Sequence, residues 1–205
     1  MPTITKEKKS TAKAKKKGSA LKVLSLKEIV ICALSGAALG LSAPGINLWF
    51  LAWFALAPLL LFIVSSKSGF TATARGFIFG TCFNLVYLNW YLGLQPLDWL
   101  GFNWWQGWLL ACAAWLIVSI HQGLIIGIFS LASYLIPVCE TYLPKKISGV
   151  WRIPAFILFP VLWILILNKL GNAPSMLGVP WSMLEYTQYQ QTQVIQVASI
   201  IGGIG

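Results

Sequence analysis

The stretch WWQGWLLACAAWLIVSIHQGLIIGIFSLASYLI, residues 104–136, decides the fold class of this chain, since it carries no acidic or basic side chain other than His121. As one helix it would measure about 50 Å, whereas about 20 residues suffice to cross a hydrocarbon core of about 30 Å. The stretch is therefore either one long, tilted membrane helix or two short ones.

The basic residues decide between these alternatives. With a single helix, the N-terminal tail and the connections 67–75 and 145–152 share one side of the membrane and hold fourteen of the fifteen basic residues, with Lys169 opposite. Two helices would move the three basic residues of the second connection across. Because basic residues collect on the cytoplasmic side, the sequence predicts one long span and a cytoplasmic N-terminus.

Hydropathy extends this prediction to an all-α fold, a polytopic transmembrane helix bundle. Hydrophobic residues make up 58% of the chain and charged residues 10%, against about half and a quarter in ordinary soluble domains. We predict five full spans and a truncated sixth, in a bundle over residues 28–205, placed at 29–43, 47–65, 72–94, 104–136, 152–170 and from about 193. The last stretch, VIQVASIIGGIG at 194–205, is shorter than a span, which predicts the front part of a longer membrane protein.

Residues 1–27 form a Lys-rich tail that holds nine of the fifteen basic residues. Such a segment is predicted to be disordered and cytoplasmic, acting as a topology signal with weak attraction to anionic lipid rather than as a specific lipid site. The net charge of +10 is concentrated there without a nucleic-acid motif, so no nucleic-acid partner is expected. A cleavable signal peptide is the alternative, but Pro44 after the candidate site Ala43 disfavours cleavage.

Polar and reactive side chains inside the apolar segments are few. Each of the four cysteines lies alone in or beside an apolar segment, which predicts packed small side chains and no metal site, at Cys32, Cys82, Cys112 and Cys139. Interhelical hydrogen bonds are expected for the polar side chains of the third and fourth spans, which are Asn84, Asn89, His121 and Gln122. The scattered acids and the absence of a Gly-rich phosphate loop predict no catalytic residue and no cofactor.

Small and aromatic residues indicate how the bundle packs and where its outer face lies. Three GxxxG motifs, which let helices approach closely, begin at Gly36, Gly76 and Gly123. Aromatic residues crowd the predicted outer side, at Trp49, Trp53, Trp90, Tyr91, Trp99, Trp104, Trp105 and Trp108. They form either an ordinary interfacial belt or an outward lipid-handling surface.

Several sequence motifs occur in an order that indicates a particular family. Residues 32–63 read CALSGAALGLSAPGINLWFLAWFALAPLLLFI and contain the pattern LWxLAWxALxPLL. After the fifth span come a G-x-P-W segment and a Tyr-x-Gln, formed by Gly178, Pro180, Trp181, Tyr186 and Gln188. In these features, and in its Gly- and aromatic-rich third span, the chain resembles the apolipoprotein N-acyltransferases from about residue 32 to residue 205.

The resemblance implies a bacterial inner-membrane enzyme with an outer nitrilase-like domain that carries a Glu-Lys-Cys triad. Its Cys takes an acyl chain from a membrane phospholipid, the donor, and passes it to the lipid-modified N-terminal Cys of an apolipoprotein, the acceptor. None of the triad matches a residue of this chain, so no catalytic residue is assigned and the chain alone is expected to be inactive. Gly178, Pro180, Trp181, Tyr186 and Gln188 become candidates for contact with lipid or substrate.

A rival interpretation is a small polytopic membrane protein, either a transporter subunit or an assembly partner. The truncated last span and the absence of paired charges inside the membrane segments count against it, since transport sites commonly need such charges.

Overall fold

A computed structural model describes residues 24–139, 145–147, 150–171, 183–196 and 200. The α-helices are α1 (Leu26–Gly40), α2 (Ala57–Val64), α3 (Gly69–Tyr87), α4 (Trp104–Leu135), α5 (Ala155–Ile166) and α6 (Thr192–Ile195). Turns of 3-10 helix lie at Trp49–Trp53, Asn89–Gly93, Asp98–Leu100 and Leu184–Gln188, and a π-helical turn, Leu167–Gly171, continues α5. Most of the predicted tail and of the sixth span lies outside the described residues, as do Gly178, Pro180 and Trp181.

The mostly helical architecture confirms the coarse prediction, and α4 is the single long helix that the charge argument favoured. Its start is fixed by a capping box, in which the Asn103 backbone N–H donates to Gln106 Oε1 at 2.9 Å. Pro137, two residues past its end, cannot continue a helix. Within the described residues α4 is also the one helix long and apolar enough to cross a membrane, so five full spans are not established.

The predicted second span is the main local difference, because it is broken rather than continuous. The chain forms the 3-10 turn Trp49–Trp53 and then the eight-residue helix α2. Pro58 lies in the first turn of α2, and its missing N–H prevents a helical hydrogen bond to the preceding turn. The regular helix therefore starts at Ala57, next to this proline, and not ten residues earlier.

The connection between α4 and α5 contains a small sheet that the sequence analysis did not predict. Strands β1 (Val138–Cys139), β2 (Lys145–Ile147) and β3 (Val150–Pro154) pair in the order β1-β3-β2. β1 lies parallel to β3, with Val138 opposite Ile153, and β2 lies antiparallel to β3. The overlooked signal is the run of β-branched and aromatic residues on both sides of Ser148-Gly149.

Close packing of α1, α3 and α4 confirms the expectation from the GxxxG motifs. Gly36 lies against the backbone of Phe79 and Phe83, so α1 and α3 almost touch. On the other side of α3, Gly76 meets Ser130 and the Ile126 carbonyl, and Gly123 of α4 lies beside Thr81. The buried core between them includes Leu39, Phe79, Phe83, Leu88, Ile126 and Phe129.

Substituting Gly36 by alanine should therefore loosen the contact of α1 with α3. The new methyl group would lie 3.0 Å from the Phe79 carbonyl carbon and 3.1 Å from the Phe83 nitrogen, and backbone atoms inside a helix cannot move aside. Overpacking of this kind costs about 1–3 kcal/mol. Thermal unfolding in detergent checks it, with Gly93→Ala as the matched control, because a methyl group there meets nothing within 4 Å. Equal midpoints for the two variants would contradict the packing argument.

Three helix ends meet at the buried side chain of Arg75, which is 6% exposed. Its guanidinium donates to the Phe62 carbonyl, in the last turn of α2, at 2.7 Å and to Ser66 Oγ, just past that helix, at 2.8 Å. The other terminal nitrogen donates to the Glu28 carboxylate, 2.5 Å away on the first turn of α1. The guanidinium also lies 5.1 Å from the centre of the Phe62 ring. We call this arrangement the Arg75 clamp.

Glu28 is held by the capping box of α1 as well as by the clamp. The Ser25 backbone N–H donates to its carboxylate at 2.9 Å, and the Glu28 N–H donates to Ser25 Oγ at 3.3 Å. The hydrogen bond from Ser25, followed by the attraction of Arg75, holds the pKa of Glu28 below its usual value of 4.5, against the opposing effect of burial. The carboxylate is thus stabilised in its charged form.

The polar residues of the predicted spans follow the expectation only in part. Gln122 makes the expected bond between helices, because its Nε2 donates to the Gly171 carbonyl at 3.3 Å. The expectation is wrong for Asn84, whose Nδ2 donates to Gly80 O of its own helix at 2.8 Å. An amide four residues along a helix can reach that carbonyl without a partner helix. His121 Nδ1 is buried and has no hydrogen-bond partner among the described residues.

Candidate lipid-binding cleft

An apolar cleft of about 400 Å³ lies between α2, with its preceding 3-10 turn, and α5. Residues 183–188 form a third side of the cleft, and Phe129 of α4 reaches it between the helices. The side chains that line it are Ala52, Trp53, Leu56, Leu60, Phe129, Phe159, Pro160, Trp163, Ile164, Leu167, Asn168, Met183, Leu184, Glu185, Thr187 and Gln188. Both the volume and the mostly apolar lining are typical of sites for small apolar ligands.

The inner wall of the cleft is formed by two aromatic rings that pack against each other. Phe129 of α4 and Trp163 of α5 meet edge to face, with ring centres 5.1 Å apart. Both side chains are buried, and edge-to-face contact is a favoured aromatic geometry. This wall should therefore keep its shape whether or not the cleft is filled.

The α5 side of the cleft is irregular, and its irregularities come from the sequence. Pro160 lies inside α5 and cannot donate a backbone hydrogen bond, so the helix ladder is interrupted where the residue lines the cleft. Leu167 and Asn168 line it from the π-helical turn, a wider turn that often occurs at functional sites. The end of this turn, Gly171, is held to α4 by Gln122.

Gln188, one of the candidates for lipid contact, lies at the cleft and ties two of its sides together. Its Nε2 donates to the Trp49 carbonyl at 3.2 Å and to Thr187 Oγ1 at 3.0 Å. Its Oε1 is buried and has no hydrogen-bond partner in the part of the chain that the structure describes. Because that oxygen is not accessible, the geometry makes Gln188 a positioning residue that holds the turn Leu184–Gln188 against Trp49–Trp53.

Tyr186, the other described candidate, faces a different cavity. It lines a space of about 260 Å³ together with Pro44, Tyr87 and Trp90. Tyr186 and Gln188 thus lie on one 3-10 turn but on opposite sides of it, so they do not converge on one ligand. Contact of either residue with lipid stays a prediction, and Gly178, Pro180 and Trp181 cannot be placed beside them.

Sequence reasoning missed most of the cleft, which is built by residues far apart in the chain. The available signals were the two prolines, Pro58 and Pro160, that interrupt facing apolar segments. The cleft can hold an apolar chain, but among its described lining residues none is a Cys, Ser or His. Cys32, Cys82 and Cys112 are free thiols that do not line the cleft. No three metal-ligating side chains lie close together among the described residues.

Comparison with known proteins agrees with the resemblance found in the sequence. The family model of the apolipoprotein N-acyltransferase N-terminal domain matches residues 35–205. The chain belongs to this family. It is 31% identical over 172 residues to the apolipoprotein N-acyltransferase of Gloeobacter violaceus and 32% identical over 154 residues to that of Nostoc sp.. A third relative of the same name, from Geobacter metallireducens, is 33% identical over 183 residues.

These matches cover most of this chain but a minor part of each relative. They take in 82%, 73% and 87% of the chain and 29%, 28% and 30% of the respective relatives. The chain thus spans less than a third of the length of each of these relatives. The rival interpretation as a transporter subunit finds no support in these comparisons.

Proposed function

We propose that this chain is a membrane part of an apolipoprotein N-acyltransferase and that its cleft holds an acyl chain of the phospholipid donor. In this proposal it lies in the bacterial inner membrane, with a cytoplasmic N-terminus and five crossings. The complete protein transfers the acyl chain to the N-terminal lipid-modified Cys of an apolipoprotein, and the catalytic groups come from outside these 205 residues.

The apolar cleft between α2 and α5 is the observation that carries this proposal. A donor phospholipid must be held by its acyl chain before the acyl group is transferred. Because lipid tails are as apolar as leucine, an apolar surface alone does not draw the acyl chain out of the bilayer, and the site must also have a matching shape. A preformed wall such as Phe129 with Trp163 supplies that shape. The polar side chain of Glu185, at one side of the cleft, suits the end of the acyl chain nearest the headgroup.

Photo-crosslinking tests the cleft directly. The purified chain, in vesicles that contain a phospholipid with a diazirine on its acyl chain, should crosslink at Trp163, a cleft residue that is buried from bulk lipid. Ala52→Phe fills the cleft from the 3-10 turn and should reduce crosslinking there about tenfold, corresponding to about 1.4 kcal/mol of lost binding. Leu61→Phe is the matched control, because Leu61 is exposed on another face of α2.

Two outcomes would contradict this assignment. If Ala52→Phe and Leu61→Phe reduce crosslinking at Trp163 equally, the cleft is not a lipid site. If Ala52→Phe leaves crosslinking at Trp163 unchanged while its unfolding midpoint matches the parent's, the acyl chain lies elsewhere.

The 205-residue chain alone is expected to transfer no acyl groups. Acyl transfer through a thioester needs an accessible thiolate with a base beside it, whereas Cys32 is buried and Cys82 and Cys112 are half-buried within helices. Purified chain in phospholipid vesicles, supplied with a diacylglyceryl peptide, should give no N-acyl product by mass spectrometry. Turnover above the vesicle background that disappears on mutating one of the four cysteines would show that a catalytic thiol was overlooked.

A further inference from the structure

The long helix α4 extends well beyond the helix that packs along it. α3 and α4 run antiparallel, with Gly76 beside Ser130 and Ile126, and Thr81 beside Gly123. The last residue of α3, Tyr87, is six residues past Thr81 and so lies level with about residue 117 of α4. Residues 104–116 therefore continue past the end of α3 by about 20 Å.

This extension and the connection 89–103 form a surface that we call the outer ledge. Its exposed apolar side chains are Trp90, Leu94, Trp99, Leu100, Phe102, Trp104, Trp105, Trp108, Leu109, Leu110 and Leu116. Trp104 is 77% exposed and Leu109 is 65% exposed. Asp98 is the one charged residue in the sequence between Arg75 and Glu140. A water-facing surface this large and apolar would be abnormal, so the ledge must have a partner.

Lipid is the partner that the pattern of exposure favours. An exposed apolar stripe runs along α4 through Ile117, Ile120, Leu124 and Ile128, and Leu109 continues it onto the ledge without a polar break. The tryptophans lie past the end of this stripe, where indole rings match the headgroup level. If a protein covered the ledge instead, we would expect polar side chains to separate the ledge from the lipid-facing stripe.

The Arg75 clamp gives the position of the inner boundary of the hydrocarbon layer. A guanidinium is very unfavourable deep in a bilayer, so Arg75 marks a level near its inner edge. Arg75 precedes Gly76, which packs against Ser130. From residue 130 up to Leu109, α4 rises about 31 Å, which equals the thickness of a hydrocarbon core of about 30 Å. The hydrocarbon layer then ends at Leu109, and Trp104, Trp105 and Trp108 reach the outer headgroups.

Apart from the ledge, the outer end of the bundle lies closer to the membrane centre than Leu109 does. Tyr87, level with about residue 117, lies about 12 Å below Leu109 along the helix axis. The turn Leu184–Gln188 is near the level of Tyr87 and of Trp90, at the lower end of the ledge, since Tyr186 lines one cavity with Pro44, Tyr87 and Trp90. Yet this turn leads into the polar and largely exposed run 188–193, QYQQTQ. Exposed amides at that depth require water or headgroups rather than acyl chains.

We infer that the outer ledge is embedded in the outer leaflet and walls a hydrated recess, into which phospholipid headgroups descend to meet residues 184–193. This inference rests on the membrane location in the proposed function. The recess would bring the ester bonds of a donor lipid about 12 Å below their usual level, to the side of the cleft formed by Glu185 and Gln188.

Spin-label accessibility tests the recess in the full chain. Single cysteines at Leu109, Gln190 and Leu124 are introduced into a Cys-free background, labelled with a nitroxide and reconstituted into phospholipid vesicles. Oxygen concentrates in hydrocarbon, whereas a nickel chelate stays in water. We expect Leu109 and Leu124 to favour oxygen and Gln190 to favour nickel, with the oxygen-to-nickel ratio at least about tenfold higher at Leu109 than at Gln190, since a charged or strongly polar chelate is excluded from hydrocarbon.

The outcomes separate this inference from the proposed function. Nickel access at Leu109 with oxygen preference at Leu124 would show that the ledge lies in water. The inference would then be wrong, while the proposed function would stand. Oxygen preference at Gln190 would show that the recess is not hydrated, with the same consequence. Nickel access at both Leu109 and Leu124 would mean that α4 does not cross the membrane, which would overturn the proposed function as well.

Discussion

Arg75→Leu is expected to lower the free energy of unfolding by about 2–4 kcal/mol. Breaking a buried ion pair costs about 3–5 kcal/mol, and the partial exposure of the Glu28 carboxylate reduces this somewhat. The variant leaves the Phe62 carbonyl, Ser66 Oγ and Glu28 without their shared donor. Because these groups belong to the ends of α1 and α2, both helices should loosen from α3 together.

Reversible unfolding in detergent micelles measures this effect, and Lys67→Leu serves as the matched control. Lys67 lies just before α3, and its substitution removes the same charge, but its side chain is exposed. A double-mutant cycle with Glu28→Gln then isolates the ion pair from the two bonds to α2. If Arg75→Leu and Lys67→Leu have equal effects, the clamp contributes nothing beyond net charge.

Lowering the pH should weaken the contact between Glu28 and Arg75. The pKa of Glu28 in the folded protein lies below its usual value of 4.5, so the folded state favours the charged carboxylate. The resulting stability is fully present above the unfolded pKa and disappears as the pH falls through the folded one. Unfolding midpoints should therefore drop below about pH 4.5 more steeply in the parent than in Glu28→Gln. Parallel pH profiles would show that Glu28 makes no such contribution.

The sequence was informative wherever a single segment determines its own structure. The apolar run 104–136 and the placement of basic residues predicted one helix where α4 is found, and the spacing of Gly36, Gly76 and Gly123 predicted close helix contacts. Both features depend on local composition and period. Pro58 was equally visible but was read as part of one span, because an N-terminal proline is compatible with either a start or a kink.

Features that depend on distant residues were beyond this reasoning. Arg75 was counted only as a charge in a connection, since nothing in its neighbourhood reveals that Glu28, 47 positions away, pairs with it. The cleft joins α2, α5 and residues 183–188 in the same way. Family resemblance brought attention to Gln188 and Tyr186 but did not reveal that they face different cavities.

An impermeant maleimide should label cysteines on the outer side of the membrane and leave those on the cytoplasmic side unlabelled. The proposal of a cytoplasmic N-terminus and five crossings puts the basic connections inside, because fourteen of fifteen basic residues then share that side. In intact cells with a Cys-free background, cysteines at Asp98 and Ser175 should react, whereas those at Lys67 and Lys145 should react only after permeabilisation.

The Lys145 position is the most informative of the four, because it follows the far end of α4 and sits on β2, which pairs with β3 just before α5 begins. Its protection together with labelling at Asp98 requires α4 to cross the membrane once, and the small sheet then lies on the cytoplasmic side. Labelling of both positions from outside would mean that α4 does not separate two compartments. Its 32 residues would then have to lie along the membrane surface, and Arg75 and Leu109 would not mark the two edges of the hydrocarbon layer.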